Sequence, residues 1–127
     1  MPKDFSRLRR VADQLQQELA ALIRDEVRDP RVGSVTVSEV RVSRDLGHAD
    51  VHVTGLGMAE PDSRRMAEAL NGAAGFLRRQ LARRLSLRTV PALRFHYDPV
   101  FDRGARLNRL IDAVRPDDGN DSGANSD

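Results

Sequence analysis

Five arginines, Arg78, Arg79, Arg83, Arg84 and Arg88, follow a run of small residues, Asn71-Gly72-Ala73-Ala74-Gly75. Guanidiniums are planar and always charged, and their forked donors match phosphate oxygens two at a time. The chemistry such a row can do is holding rather than bond-making. A bend with exposed N–H groups, followed by cations, seats a phosphate backbone. A second group is His48, Asp50 and His52, alternate residues of one strand, with His96 on another. Two or three imidazoles and a carboxylate are zinc ligands in kind, and a metal-dependent hydrolase is the enzyme class they would suit. An open sheet face exposes such residues for solvation alone, which is the simpler account. No nucleophile–base signature, phosphate-binding glycine loop or zinc-helix motif accompanies them. The reading is therefore no catalytic residue, no metal and no cofactor.

The elements that position these groups can be read from periodicity. Met66, Leu70, Ala73, Leu77, Leu81 and Leu85 recur three or four apart, giving one buried face along a helix, a kink and a second helix. A glycine within such a pattern costs about 1 kcal/mol relative to alanine, so two of them beside two alanines mark a kink. Arg78, Arg79 and Arg83 fall off the Leu77–Leu81–Leu85 stripe and face solvent, whereas Arg84 lies nearer it and snorkels past. Ala73, Ala74 and Gly75 are small either to let another backbone approach or to let the two helices pack, and both uses are compatible.

Upstream, Leu8, Val11, Ala12, Leu15, Leu19, Leu22, Ile23 and Val27 predict a helix over about Arg7 to Val27. Asp4 or Ser6 would cap it, and Asp29-Pro30 would end it. That places Arg7, Arg9 and Arg10 in the first turn, where the macrodipole opposes cations. Ser34 to Val42 alternates as a strand whose apolar phase shifts, predicting a bulge near Glu39. Ser43-Arg44-Asp45-Leu46-Gly47 connects it to His48–Gly55, with Ala49, Val51 and Val53 on the core face and His48, Asp50, His52 and Thr54 on the wet one. Pro61-Asp62-Ser63 opens the kinked helix pair, Ala92–Tyr97 is a third strand, and Asp102 would cap a last helix with Leu107, Leu110, Ile111 and Val114. The order is α-β-β-α-α-β plus a terminal helix. It predicts an α+β domain with a three-stranded mixed sheet and helices on one face.

At 127 residues the chain is one domain by length. Residues 117–127 hold four aspartates and no base, so the overall charge of +2 leaves +6 on residues 1–116. From Pro116 onward nothing apolar offsets ordering entropy, and residues 116–127 are expected to be a disordered acidic tail after a domain of residues 1–115. Arginine supplies 20 of the 21 basic residues. Phosphate recognition gives that bias, and so does a GC-rich genome. There is no cysteine, hence no disulfide or thiolate metal site. Met1 to Phe5 leads into charged residues rather than an apolar core, and no apolar run approaches the roughly 20 residues needed to cross a bilayer. A soluble, cytoplasmic protein is expected. Aromatic residues are few, so phosphates and shape, not base stacking, would dominate binding.

Several segments go further than pattern. Arg9-Arg10-Val11-Ala12, Asp29-Pro30-Arg31-Val32-Gly33, Ser43-Arg44-Asp45-Leu46, Ala73-Ala74-Gly75-Phe76-Leu77-Arg78 and Val90-Pro91 before Phe95-His96-Tyr97-Asp98 resemble, in that order, the ribosome-binding factor A family. The resemblance spans about residues 3 to 115. It implies a type II KH-like fold in which an Ala-x-Gly interhelical kink replaces the usual Gly-x-x-Gly loop. Gly72-Ala73-Ala74-Gly75 also spells Gly-x-x-Gly, with alanines where RNA-clamping loops carry basic or polar residues. The resemblance further implies a non-catalytic factor that binds the small (30S) ribosomal subunit late in assembly and contacts 16S ribosomal RNA. It implies a part in rRNA processing and cold adaptation, and a link to assembly GTPases. On this reading Arg78, Arg79 and Arg83 lead the RNA contacts. Ala73, Ala74 and Gly75 form the kink, and Arg44, Arg88, Arg7, Arg9 and Arg10 are further candidates. The protein would act as a monomer without a membrane. The alternative is a free-standing KH module for single-stranded RNA.

Overall fold

The computed structural model describes residues 2–114, and the acidic tail expected from residue 116 lies outside them. The chain runs α1 (Pro2–Glu26), β1 (Val35–Val42), β2 (His48–Gly55), α2 (Glu60–Gly72), α3 (Ala74–Arg84), β3 (Ala92–Tyr97) and α4 (Pro99–Val114). The strands form one sheet in the order β1-β2-β3. β1 is antiparallel to β2, and β2 is parallel to β3 through the α2–α3 crossover that a parallel pair requires. The α+β arrangement expected from the sequence is the one observed.

The core lies where α1, α2 and α3 cover one sheet face. Leu15, Leu19 and Leu22 of α1, Met66 and Leu70 of α2, and Leu77 and Leu81 of α3 are fully buried against Val51, Val53 and Phe95. Each such side chain contributes about 1.5–3 kcal/mol when removed from water, so the periodicity that builds the helices also fixes their faces.

The expected bulge is present. The β1–β2 register shifts between Val37 and Glu39, leaving Ser38 unpaired in the ladder, with its hydroxyl donating to Asp98 Oδ2 at 2.7 Å. Gln16 of α1 donates its amide to the Val37 carbonyl at 2.8 Å, on the outer edge of the sheet.

Three local expectations are corrected. Helix α1 begins at Pro2, so Ser6 is inside it rather than capping it, and the side chain of Asp4 is not among those described. Arg7, Arg9 and Arg10 therefore stand in the second and third turns, where the macrodipole opposes them less. Asp98, not Asp102, caps α4. Its Oδ1 accepts the Phe101 N–H at 3.0 Å, while Asp102 is buried and takes the Tyr97 hydroxyl and Arg106. Thr54, expected on the wet face, is buried because the Asp98 carbonyl accepts its hydroxyl at 3.3 Å. Leu107, Leu110 and Ile111 of α4 face outward.

Candidate nucleic-acid interface

The kink is a single residue. Helix α2 ends at Gly72, Ala73 breaks the geometry at φ −97°, ψ 6°, and α3 begins at Ala74. Hydrogen bonding nearly bridges the break: the Ala73 N–H reaches the Ala69 and Leu70 carbonyls, and the Leu77 N–H reaches the Ala73 carbonyl at 2.9 Å. Gly72 is thus helical and opens no Gly-x-x-Gly loop, so the Ala-x-Gly register describes the elbow. Asn71, the first of the small-residue run at the bend, fixes its position. Its side-chain amide accepts from the Phe95 N–H and donates to the Phe95 carbonyl, tying the end of α2 to β3.

Ala73 and Ala74 pack against the core, so part of their smallness serves packing. Gly72 and Gly75 are exposed. A Cβ on Gly72 would meet nothing within 4 Å, and one on Gly75 would meet only Arg79 Nη1, at 3.5 Å. The internal packing leaves room for a side chain at both.

Beyond the elbow, Arg78, Arg79 and Arg83 are exposed, and none makes an ion pair among the described residues. Arg78 is steadied by donating Nε–H to the Val90 carbonyl at 2.9 Å. Arg84, expected to snorkel past the apolar stripe, instead pairs with Glu18 of α1 at 3.5 Å. Arg7 and Arg44 line one cleft with Leu8 and Leu46, between α1 and the β1–β2 hairpin. Arg7 and Arg10 line another, facing Leu87 in the segment between α3 and β3. Arg88 is exposed beside Leu87, and Arg9 is exposed on α1. Residues far apart in sequence are thereby gathered at the hairpin end of the molecule. The hairpin tip is held there by Asp45, whose Oδ1 takes the Gly47 N–H and the Ser43 hydroxyl, contacts that lower its pKa.

The histidines form a different surface. On the uncovered sheet face, Arg41, Asp50 and Arg94 lie in one cross-strand row, and Glu39, His52 and His96 in the next. His96 Nε2 is 2.8 Å from Asp50 Oδ1, the contact that most lowers the Asp50 pKa, and Arg94 Nε lies 3.8 Å from the same oxygen. The His52 and His96 rings lie beside one another, tilted by 31° with centroids 5.3 Å apart. Among the described residues no three His, Cys, Asp or Glu side chains converge so as to hold a metal ion. The face is a ladder of internally paired charges.

The element order, the parallel β2–β3 pair and the helical elbow define a type II KH-like domain. Comparison with known proteins narrows the class. The model of the family described as "Ribosome-binding factor A" matches residues 7–111. Ribosome-binding factor A of Alkalilimnicola ehrlichii is 59% identical over 118 residues, covering 93% of this chain and 91% of that protein. The Halorhodospira halophila protein is 58% identical, over 91% of this chain and 92% of its own length. Among solved structures, the crystal structure of ribosome-binding factor A from Thermus thermophilus superposes with a TM-score of 0.63 at 32% identity, covering 71% of this chain and 93% of that one. A Thermus thermophilus homology model fitted into a cryo-EM map of a 30S complex gives a TM-score of 0.56 at 34% identity, covering 67% of this chain and 88% of that one. The chain belongs to the ribosome-binding factor A family. No helix among the described residues is long and apolar enough to cross a membrane.

Proposed function

We propose that this protein binds the small ribosomal subunit and acts, without catalysis, in its late maturation and in 16S rRNA processing. Family membership supports the subunit as partner, since a Thermus thermophilus relative was fitted into a map of a 30S complex. The contact surface is the elbow at Ala73, Ala74 and Gly75, the outward arginines Arg78, Arg79 and Arg83, and the basic hairpin end with Arg7, Arg10, Arg44 and Arg88. Arg9 extends that surface along α1. The observation that carries this reading is the contrast between two charged faces. Arg78, Arg79 and Arg83 are exposed and free of carboxylate partners among the described residues, while the arginines on the sheet face are paired. Unpaired guanidiniums keep their full attraction for phosphate. Space above Gly72 and Gly75 lets a backbone come close.

On the same reading the protein works in the cytoplasm as a monomer, adapts ribosome assembly to cold, and is functionally linked to ribosome-assembly GTPases. Residues 1–115 form the binding domain, and residues 116–127 an acidic appendage. Crosslinking in cells, followed by sequencing of the attached RNA, tests partner and face together. Crosslinks to 16S rRNA from α3 and the hairpin, with sedimentation on free small subunits, are expected. Crosslinks chiefly to messenger RNA would instead favour a free-standing KH regulator.

A further inference from the structure

The cleft between α1 and the segment joining α3 to β3 differs from the rest of the basic surface. It has a volume of about 430 Å³, within the roughly 300–1,000 Å³ of small-ligand sites. Its walls are apolar, from Val11 and Leu87, and its rim carries Arg7 and Arg10. The adjacent Asp13 and Gln14 also line it, with Gln17 about one turn further along α1. None of these five polar side chains makes a hydrogen bond or ion pair with another described residue. That sets them apart from the sheet face, where Asp50, His96, Arg41 and Glu39 satisfy one another.

We propose that this cleft receives one unstacked guanine base of the RNA, an inference that rests on the RNA-binding reading above. A phosphate is the wrong occupant, because the Asp13 carboxylate would repel it. A base suits both kinds of wall: its flat face lies against Leu87, over a floor that reaches the buried Val11, and its edge meets the polar groups. An ionised carboxylate only accepts hydrogen bonds, and guanine alone offers N1–H and N2–H side by side. Arginine is in turn the commonest partner of guanine O6 and N7. Gln14 and Gln17 supply donors and acceptors for what remains of the edge. Arg7 also lines the neighbouring cleft with Arg44, where Asp45 is already occupied by Ser43 and Gly47. A protein poor in aromatic rings thereby gains a sequence-dependent contact that arginines on phosphate cannot give.

The test titrates the full ¹⁵N-labelled chain with each of the four nucleoside 5′-monophosphates and with inorganic phosphate. Guanosine monophosphate should shift the amides of Asp13, Gln14 and Leu87 and bind roughly tenfold more tightly than the other three. Asp13→Asn should erase that preference while leaving the melting temperature unchanged, since the side chain is exposed and unpartnered. Equal response to all four nucleotides, a preference for another base, or shifts with inorganic phosphate alone would overturn the proposal. So would a guanine preference that survives Asp13→Asn. Wild-type binding to small subunits, measured in parallel, separates the two levels. If the subunit binds but guanine is not preferred, only the cleft assignment fails. If the subunit does not bind, the RNA-binding reading fails first.

Discussion

Asn71 grips Phe95 from both sides of its peptide backbone: Oδ1 accepts the Phe95 N–H at 2.7 Å, and Nδ2 donates to the Phe95 carbonyl at 3.0 Å. A side chain at the last turn of α2 thus substitutes for a neighbouring strand and sets the elbow's position over the sheet. Asn71→Ala leaves a partly buried donor and acceptor without partners, a cost of about 1–3 kcal/mol. Urea denaturation should show that loss. Asn71→Asp, which keeps the acceptor and discards the donor, should fall between the alanine variant and the wild type.

Replacing Arg78, Arg79 and Arg83 together by alanine should weaken small-subunit binding while leaving a folded domain. The structural loss is one hydrogen bond, from Arg78 Nε to the Val90 carbonyl, about 1 kcal/mol. If each arginine meets one phosphate, the log–log salt slope should also drop by roughly two to three units. Binding assays across a salt series check both. An unchanged slope would place the RNA on another face.

Gly75→Ala separates folding from binding. The position is helical, and an added Cβ meets only Arg79 Nη1 at 3.5 Å, so stability should hold or rise by up to about 1 kcal/mol. Subunit affinity should nevertheless fall if the elbow is the contact surface proposed above, because the methyl group would then stand against the RNA backbone. A variant that gains stability and keeps its affinity would assign the glycine to neither role.

Tyr97 is the only tyrosine, and there is no tryptophan, so alkaline ultraviolet titration reports it alone. Burial pushes its pKa up to about 12, and its hydrogen bond to the Asp102 carboxylate pushes in the same direction. The folded state therefore favours the neutral phenol. Its contribution to stability is complete below the ordinary value near 10 and is lost as pH rises through about 12. Asp102→Asn should bring the midpoint down towards 10, and a midpoint unaffected by that change would leave burial as the whole cause.

At Asp29 the sign is opposite. The Arg31 side chain and backbone N–H hold its carboxyl at about 2, so the stabilisation is present above about pH 4 and disappears as pH falls towards 2. Carboxyl-detected NMR should show that midpoint, and Arg31→Ala should return it towards the ordinary range.

The sequence was most legible where one physical rule acts locally. Ala49, Val51 and Val53 alternate with His48, Asp50 and His52, and that alone places β2 at His48–Gly55. The parity change after Val37 locates the bulge, because one extra residue must move every later side chain to the other face. Helical phase separated Arg78, Arg79 and Arg83 from Arg84, whose partner is Glu18 on another helix. What escaped was tertiary. Asn71 looks like any polar helix residue until β3 is beside it. Asp98 outcompetes Asp102 as a cap because Ser38 and two backbone N–H groups converge on it. Burial pulls its pKa up, and those hydrogen bonds overcome the pull and lower it. The gathering of Arg7, Arg10 and Leu87 around one cleft depends on how α1 lies along the α3–β3 segment, which no spacing records.

A strand with a neighbour on one side only is an invitation to any other unsatisfied chain, and a newly made protein is surrounded by them. In β1 that invitation is withdrawn at one point, where the Gln16 amide occupies the Val37 carbonyl beside a bulge that already spoils the ladder's repeat. A foreign strand trying to extend the sheet would find its register interrupted midway and one acceptor taken. The same few atoms that settle helix on sheet thus make this edge a poorer template for a foreign strand.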